Sequence, residues 1–184
     1  MKAIRFIFLF LLFQCHSVLG QDDRKILQIR NAFKQWQVWL ENDKVKPKFY
    51  YHSSWGDDYE NDAWTTFKPG DSVTIIEVAR VFSVPPLGHL AKVNTNSISG
   101  DWFIKAENYY DTNGDLFFIF WSMNTFLADA PVTVEKRLYF DRRNVLIKEL
   151  KTVYRMNTRE VLDVGFTDRE VIIWNRLTDI AFLK

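Results

Sequence analysis

A seven-residue phrase written twice constrains this chain more than anything else in it. Tyr110-Asp111-Thr112-Asn113-Gly114-Asp115-Leu116 is followed 30 positions on by Phe140-Asp141-Arg142-Arg143-Asn144-Val145-Leu146. Both read aromatic, Asp, two polar residues, Gly or Asn, any residue, Leu. The Asp can accept hydrogen bonds from backbone amides just ahead, and Gly or Asn can take the left-handed conformation that a type I turn with a bulge requires. Each phrase is therefore expected to be a β-hairpin tip. Their flanks are aromatic and β-branched, which predicts an antiparallel meander between and around them.

The period-two pattern predicts strands at Lys48–Trp55, Ser72–Val84, Leu90–Ile98, Trp102–Tyr110, Leu116–Met123, Val132–Phe140 and Val145–Tyr154. The Leu116–Met123 strand is apolar at nearly every position, so it needs cover on both faces and belongs near the sheet centre. The Leu90–Ile98 strand carries Lys92, Asn94 and Asn96 and suits an edge or a partly wet face.

Helices are expected at both ends. From Asp22 to about Asn42, Ile26, Ile29, Phe33, Trp36 and Leu40 form one apolar stripe, with Asp22 and Asp23 placed for a helix N-terminus. Near the other end, Asn157 with Glu160 and Thr167 with Glu170 have capping-box spacing, and Gly165 suits a C-cap. They predict a short helix and then a longer one from about Asp168 to Leu183, with Val171, Trp174, Leu177 and Ile180 or Ala181 as its stripe. The expected class is α+β: a meander of about six to seven strands, an amphipathic N-terminal helix and one or two C-terminal helices.

Lys2 and Arg5, the apolar run Ile4–Phe13 and small or apolar residues before Gln21 spell a secretory signal peptide cut near Gly20. Residues 21–184 then form a single domain, secreted or periplasmic. No later run approaches the length of a membrane span. Acylation at Cys15 is disfavoured because Gln14 stands where a lipobox needs a small side chain. Removing Lys2 and Arg5 from the 24 basic residues leaves 22 against 23 acidic ones, a net charge of −1. A near-neutral chain without a basic tract argues against nucleic acid as partner. Cys15 is the only cysteine, so the processed domain must hold together by its core.

Catalytic constellations are sparse. The processed chain has two histidines, His52 and His89, no cysteine and no Gly-x-Ser-x-Gly elbow. Zinc-motif spacing and a phosphate-cradling glycine loop are both missing, so neither metal nor cofactor is expected. Asp57, Asp58, Glu60 and Asp62 crowd one loop without EF-hand spacing, which favours a solvated acidic loop over a calcium site. Glu77, Glu107, Glu135 and Glu149 lie on strands among Arg80, Lys105, Arg137 and Lys148, a pattern that cross-strand ion pairs explain.

The doubled phrase, carried by Tyr109-Tyr110-Asp111 with Gly114 and Leu116 and by Tyr139-Phe140-Asp141 with Asn144 and Leu146, resembles small uncharacterised exported proteins of Bacteroidetes-like bacteria. That resemblance implies fold and compartment and carries no activity. High aromatic content without catalytic residues points to a non-catalytic binding or interaction protein, its partner a glycan, a lipid-like molecule or a protein. If one sheet face is presented, Phe103, Tyr109, Phe117, Trp121 and Tyr139 would form the binding surface. The alternatives are an envelope-polymer hydrolase using paired carboxylates and a structural domain whose aromatics are all buried.

Overall fold

The computed structural model describes residues 2–42, 46–52, 65–66, 77–97, 100–126, 131–163, 166 and 168–180, with backbone alone for 2–21 and 65–66. The expectations for the acidic loop Asp57–Asp62, for residues 72–76, and for Gly165, Thr167 and Leu183 lie outside these residues. A helix α1 (Lys2–Glu41) is followed by β1 (Lys48–His52), β2 (Thr65–Thr66), β3 (Glu77–Val84), β4 (Gly88–Asn96), β5 (Trp102–Tyr110), β6 (Leu116–Thr125), β7 (Val132–Phe140), β8 (Leu146–Arg155) and β9 (Val161–Leu162). They make one antiparallel sheet in the order β2-β1-β3-β4-β5-β6-β7-β8-β9, an uninterrupted meander from β3 onward. The seven longer strands correspond to the seven read from the sequence. β4 lies between β3 and β5 and so is no edge, and its Lys92, Asn94 and Asn96 lie on a partly wet face.

Both hairpin phrases do what their chemistry requires. Asp111 Oδ1 accepts from the amides of Asn113 (2.8 Å) and Asp115 (3.1 Å), and Asp141 Oδ1 accepts from those of Arg143 (2.8 Å) and Val145 (3.0 Å). Gly114 has φ 82° and Asn144 φ 59°. The amide of Val145, followed by the amide and side chain of Arg143, holds the Asp141 carboxyl below its ordinary range against the opposing effect of burial. A bulge follows at each tip, between Tyr109 and Tyr110 and between Tyr139 and Phe140.

The helix packs its predicted stripe on one face of the sheet. Ile26, Ile29 and Trp36 are buried, with Phe33 and Leu40 partly so, against Val84, Leu90, Tyr109, Phe118 and Tyr139. Phe33 meets Tyr109 and Phe118 edge-on at 5.4 and 5.2 Å. Each such buried side chain contributes roughly 1.5–3 kcal/mol. Asp22 and Asp23 sit inside α1 rather than at its start.

The described residues of the C-terminal end do not form the expected helices. Residues 157–160 turn β8 into β9, with Arg159 at φ 59°, a conformation no α-helix contains. Residues 168–176 run without helix across the opposite sheet face, ending in one 3-10 turn at Leu177–Asp179. The amide of Leu116 donates to Asn175 and that of Leu177 to Gly114. The misleading signal is the spacing of Val171, Trp174, Leu177 and Ile180. At about 100° per residue, positions nine apart lie on opposite sides of an α-helix. A strict three-residue repeat instead suits an extended strap, and these side chains with Phe166 cover the cluster containing Trp121, Ile119, Val134 and Leu138.

Candidate functional site

The register sorts the helix-side face into cross-strand rows. Leu90, Tyr109, Phe118 and Tyr139 form an apolar row across β4–β7, and α1 lies on it. Below it come Lys92, Glu107, Phe120 and Arg137, then Asn94, Lys105, Ser122 and Glu135, then Asn96, Phe103, Asn124 and Thr133. Over these rows the face is open as a groove of about 370 Å³, within the range of small-ligand sites. Its described lining comes from β5, β6 and β7 and from Met156 and Arg159 at the β8–β9 turn.

Two carboxylates, each held by cations, organise its charged groups. Glu107 accepts from Lys92 Nζ at 2.9 Å and from the Tyr109 hydroxyl at 2.6 Å. Gln37 of α1 donates to the same hydroxyl at 3.1 Å, which ties the helix to the groove. Burial, reinforced by the charge and hydrogen bond of Glu107, pushes the Tyr109 phenol far above its ordinary range. At the other end Glu135 takes Arg159 at 3.0 Å and Arg137 at 3.7 Å. Arg159 stacks on Tyr154 at 4.3 Å, Arg137 lies over Phe120 at 5.9 Å, and Thr133 donates to Asn124 at 2.9 Å.

The five aromatic residues read from the sequence do not share a surface. Trp121 is 2% exposed on the opposite face, under the strap and beneath Lys136 at 5.3 Å. Tyr109 and Tyr139 are buried under α1. Phe117 packs beside Tyr109, moved to the helix side by the bulge. Phe103 alone of the five lines the groove. Both faces are thus packed around Trp121 and Tyr109, and the open region lies farther along the strands. The signal that could have found it is the polar pair Ser122 and Asn124, alternating within the otherwise apolar β6 and facing Lys105 and Phe103 across the β5 pairing.

Other chemistry is thin. Ser83 Oγ and His89 Nδ1 lie 2.9 Å apart as opposed residues of β3 and β4. No carboxylate engages the ring's other nitrogen among the described residues, so this reads as a cross-strand polar pair. Among the described residues no three His, Cys, Asp or Glu side chains converge as metal ligands. Compared with family models, curated proteins and solved structures, the chain matches none.

Proposed function

We propose that this chain is an exported, non-catalytic binding protein that holds a saccharide in the groove over β5–β7. The observation that carries the reading is the change along one sheet face, from the helix-covered row of Tyr109, Phe118 and Tyr139 to open polar rows flanked by the rings of Phe103 and Phe120. Sugars present apolar ring faces edged by hydroxyls. Aromatic rings beside Ser122, Asn124 and Thr133 complement both surfaces. Export is supported by the cationic start and apolar run before Gln21, and cleavage near Gly20 would leave whole the packing stripe of α1 from Ile26 to Leu40.

Glu107 and Glu135 also meet the hydrolase reading. They sit two strands and one row apart, about 12 Å between backbone positions, and each is engaged by cations. That arrangement suits recognition better than paired acid–base work. Calorimetric titration with neutral and acidic oligosaccharides tests the binding reading. Ser122→Trp fills the groove and should abolish binding with little change in the denaturation midpoint; retained binding would overturn the site. Turnover of an oligosaccharide that stops in Glu107→Gln would replace binding with hydrolysis.

A further inference from the structure

We infer that the group this groove recognises is anionic: an acidic saccharide whose carboxylate or sulfate is met by Lys105 from β5 and by Arg159 from the β8–β9 turn. The inference rests on the groove reading above and deepens it.

Charge is the first ground. Among the described residues Lys105 and Arg159 line the groove against Glu107 and Glu135, and Lys92 and Arg137, outside the lining, pair with those two carboxylates, so four cations stand in or beside the groove against two carboxylates. Lys105 is exposed and makes no ion pair among the described residues. A local excess of positive charge on a chain of near-neutral balance attracts and retains anions.

The conformation of Arg159 is the second ground. It is one of two non-glycine residues at positive φ among the described ones; the other, Asn144, is a residue type that tolerates that region well. An arginine there stores strain that glycine would relieve, and such strain gathers at binding sites. Its amide donates to Arg155 at 2.9 Å, its guanidinium stacks on Tyr154, and Nη2 binds Glu135 at the groove floor. Stacking uses the face of the guanidinium and Glu135 takes Nη2, so the donors left for a carboxylate or sulfate are the remaining N–H groups of the fork.

Phe103 and Phe120 with Ser122, Asn124 and Thr133 separate this site from a plain anion sink, since they would contact a ring and its hydroxyls rather than an inorganic ion. The test is calorimetry of the purified chain with trigalacturonate, a sulfated maltotriose and uncharged maltotriose. At least one acidic probe should bind tenfold or more tighter than maltotriose, an advantage that shrinks as salt rises from about 0.02 to about 0.3 M. Which acidic probe wins tells carboxylate from sulfate. Arg159→Gly suits the backbone conformation and should keep the fold while removing most of the advantage; Lys105→Gln should remove part, and Arg159→Lys should restore some. Equal binding of neutral and acidic probes, unchanged in Arg159→Gly, would overturn the anionic group and leave the groove reading standing. If no probe binds the unaltered chain, both fall.

Discussion

Tyr109 donates its hydroxyl hydrogen at 2.6 Å to Glu107, two residues back on the same face of β5, and so joins the helix-covered end of the sheet to its open end. Gln37 completes the link from α1. Tyr109→Phe removes this hydroxyl and leaves Gln37 and Glu107 each short of a partner. Denaturant melts should show a loss of about 1–3 kcal/mol.

The same residue predicts an alkaline transition. Burial pushes both Tyr109 and Tyr110 above the ordinary phenol range. A group whose folded pKa is raised stabilises the fold below its unfolded pKa and loses that contribution as pH rises beyond it. Stability should therefore fall from about pH 10 upward, where the unfolded chain ionises first. Absorbance titration should show these two phenols ionising only as the protein unfolds, and Tyr109→Phe should have a shallower pH slope.

Truncation separates the packed core from the groove wall. Trp121, 2% exposed in the cluster under the strap, should cost about 3–5 kcal/mol as Trp121→Ala. Phe120 is half-buried beside the groove, and Phe120→Ala should cost less. Paired denaturant melts with the opposite ranking would show that the strap does not seal that face.

Turn chemistry predicts a graded series. Gly114→Val should cost about 1–3 kcal/mol at φ 82°, while Asn144→Gly should be nearly neutral at φ 59°. Gly88 is more demanding. A Cβ there would collide with the carbonyl oxygen of Tyr110 and come within 2.7 Å of the Asp111 carbonyl carbon, both backbone. Gly88→Ala should therefore cost about 3 kcal/mol or more, the largest thermal shift of the three.

Asp168 pins the strap. It pairs with Lys136 at 3.0 Å and Lys151 at 3.1 Å, and the Lys151 ammonium also donates to the Phe166 carbonyl. Burial alone would raise its carboxyl, but the two lysines outweigh that and hold it below the ordinary range. Its contribution is present above the unfolded carboxyl pKa and fades as pH falls below about 4. Asp168→Asn should cost about 2 kcal/mol at neutral pH, less than a fully buried pair loses. The difference from the unaltered chain should narrow in acid. Hydrogen exchange should rise first at Leu116 and Leu177, whose amides bind across the strap junction.

The meander was legible because its determinants are local. Asp111, Gly114, Asp141 and Asn144 carry the turns within five residues, and period-two alternation carries the strands. The ends were harder to read. Val171, Trp174, Leu177 and Ile180 are apolar at steps of three, which over a single turn pass for a helix stripe although the full run of nine suits only the strap. The backbone bonds of Leu116 and Leu177, which choose the strap, join residues about sixty positions apart. Periodicity also could not say how far α1 reaches along the sheet. That reach buries Tyr109 and leaves Phe103 and Phe120 at the groove, so it separates residues that alternation alone had grouped.

The strap follows in the chain every strand it covers. Whatever the order in which the hairpins pair, the part of the Trp121 side that Phe166 and residues 168–180 cover stays wetted until they dock, so that layer is a surface before it becomes an interior. Undocking would reverse the order, uncovering a broad apolar layer while β4–β7 remain hydrogen-bonded to one another. Self-association on heating should then begin with a sheet still largely intact, before the cooperative loss of strand structure.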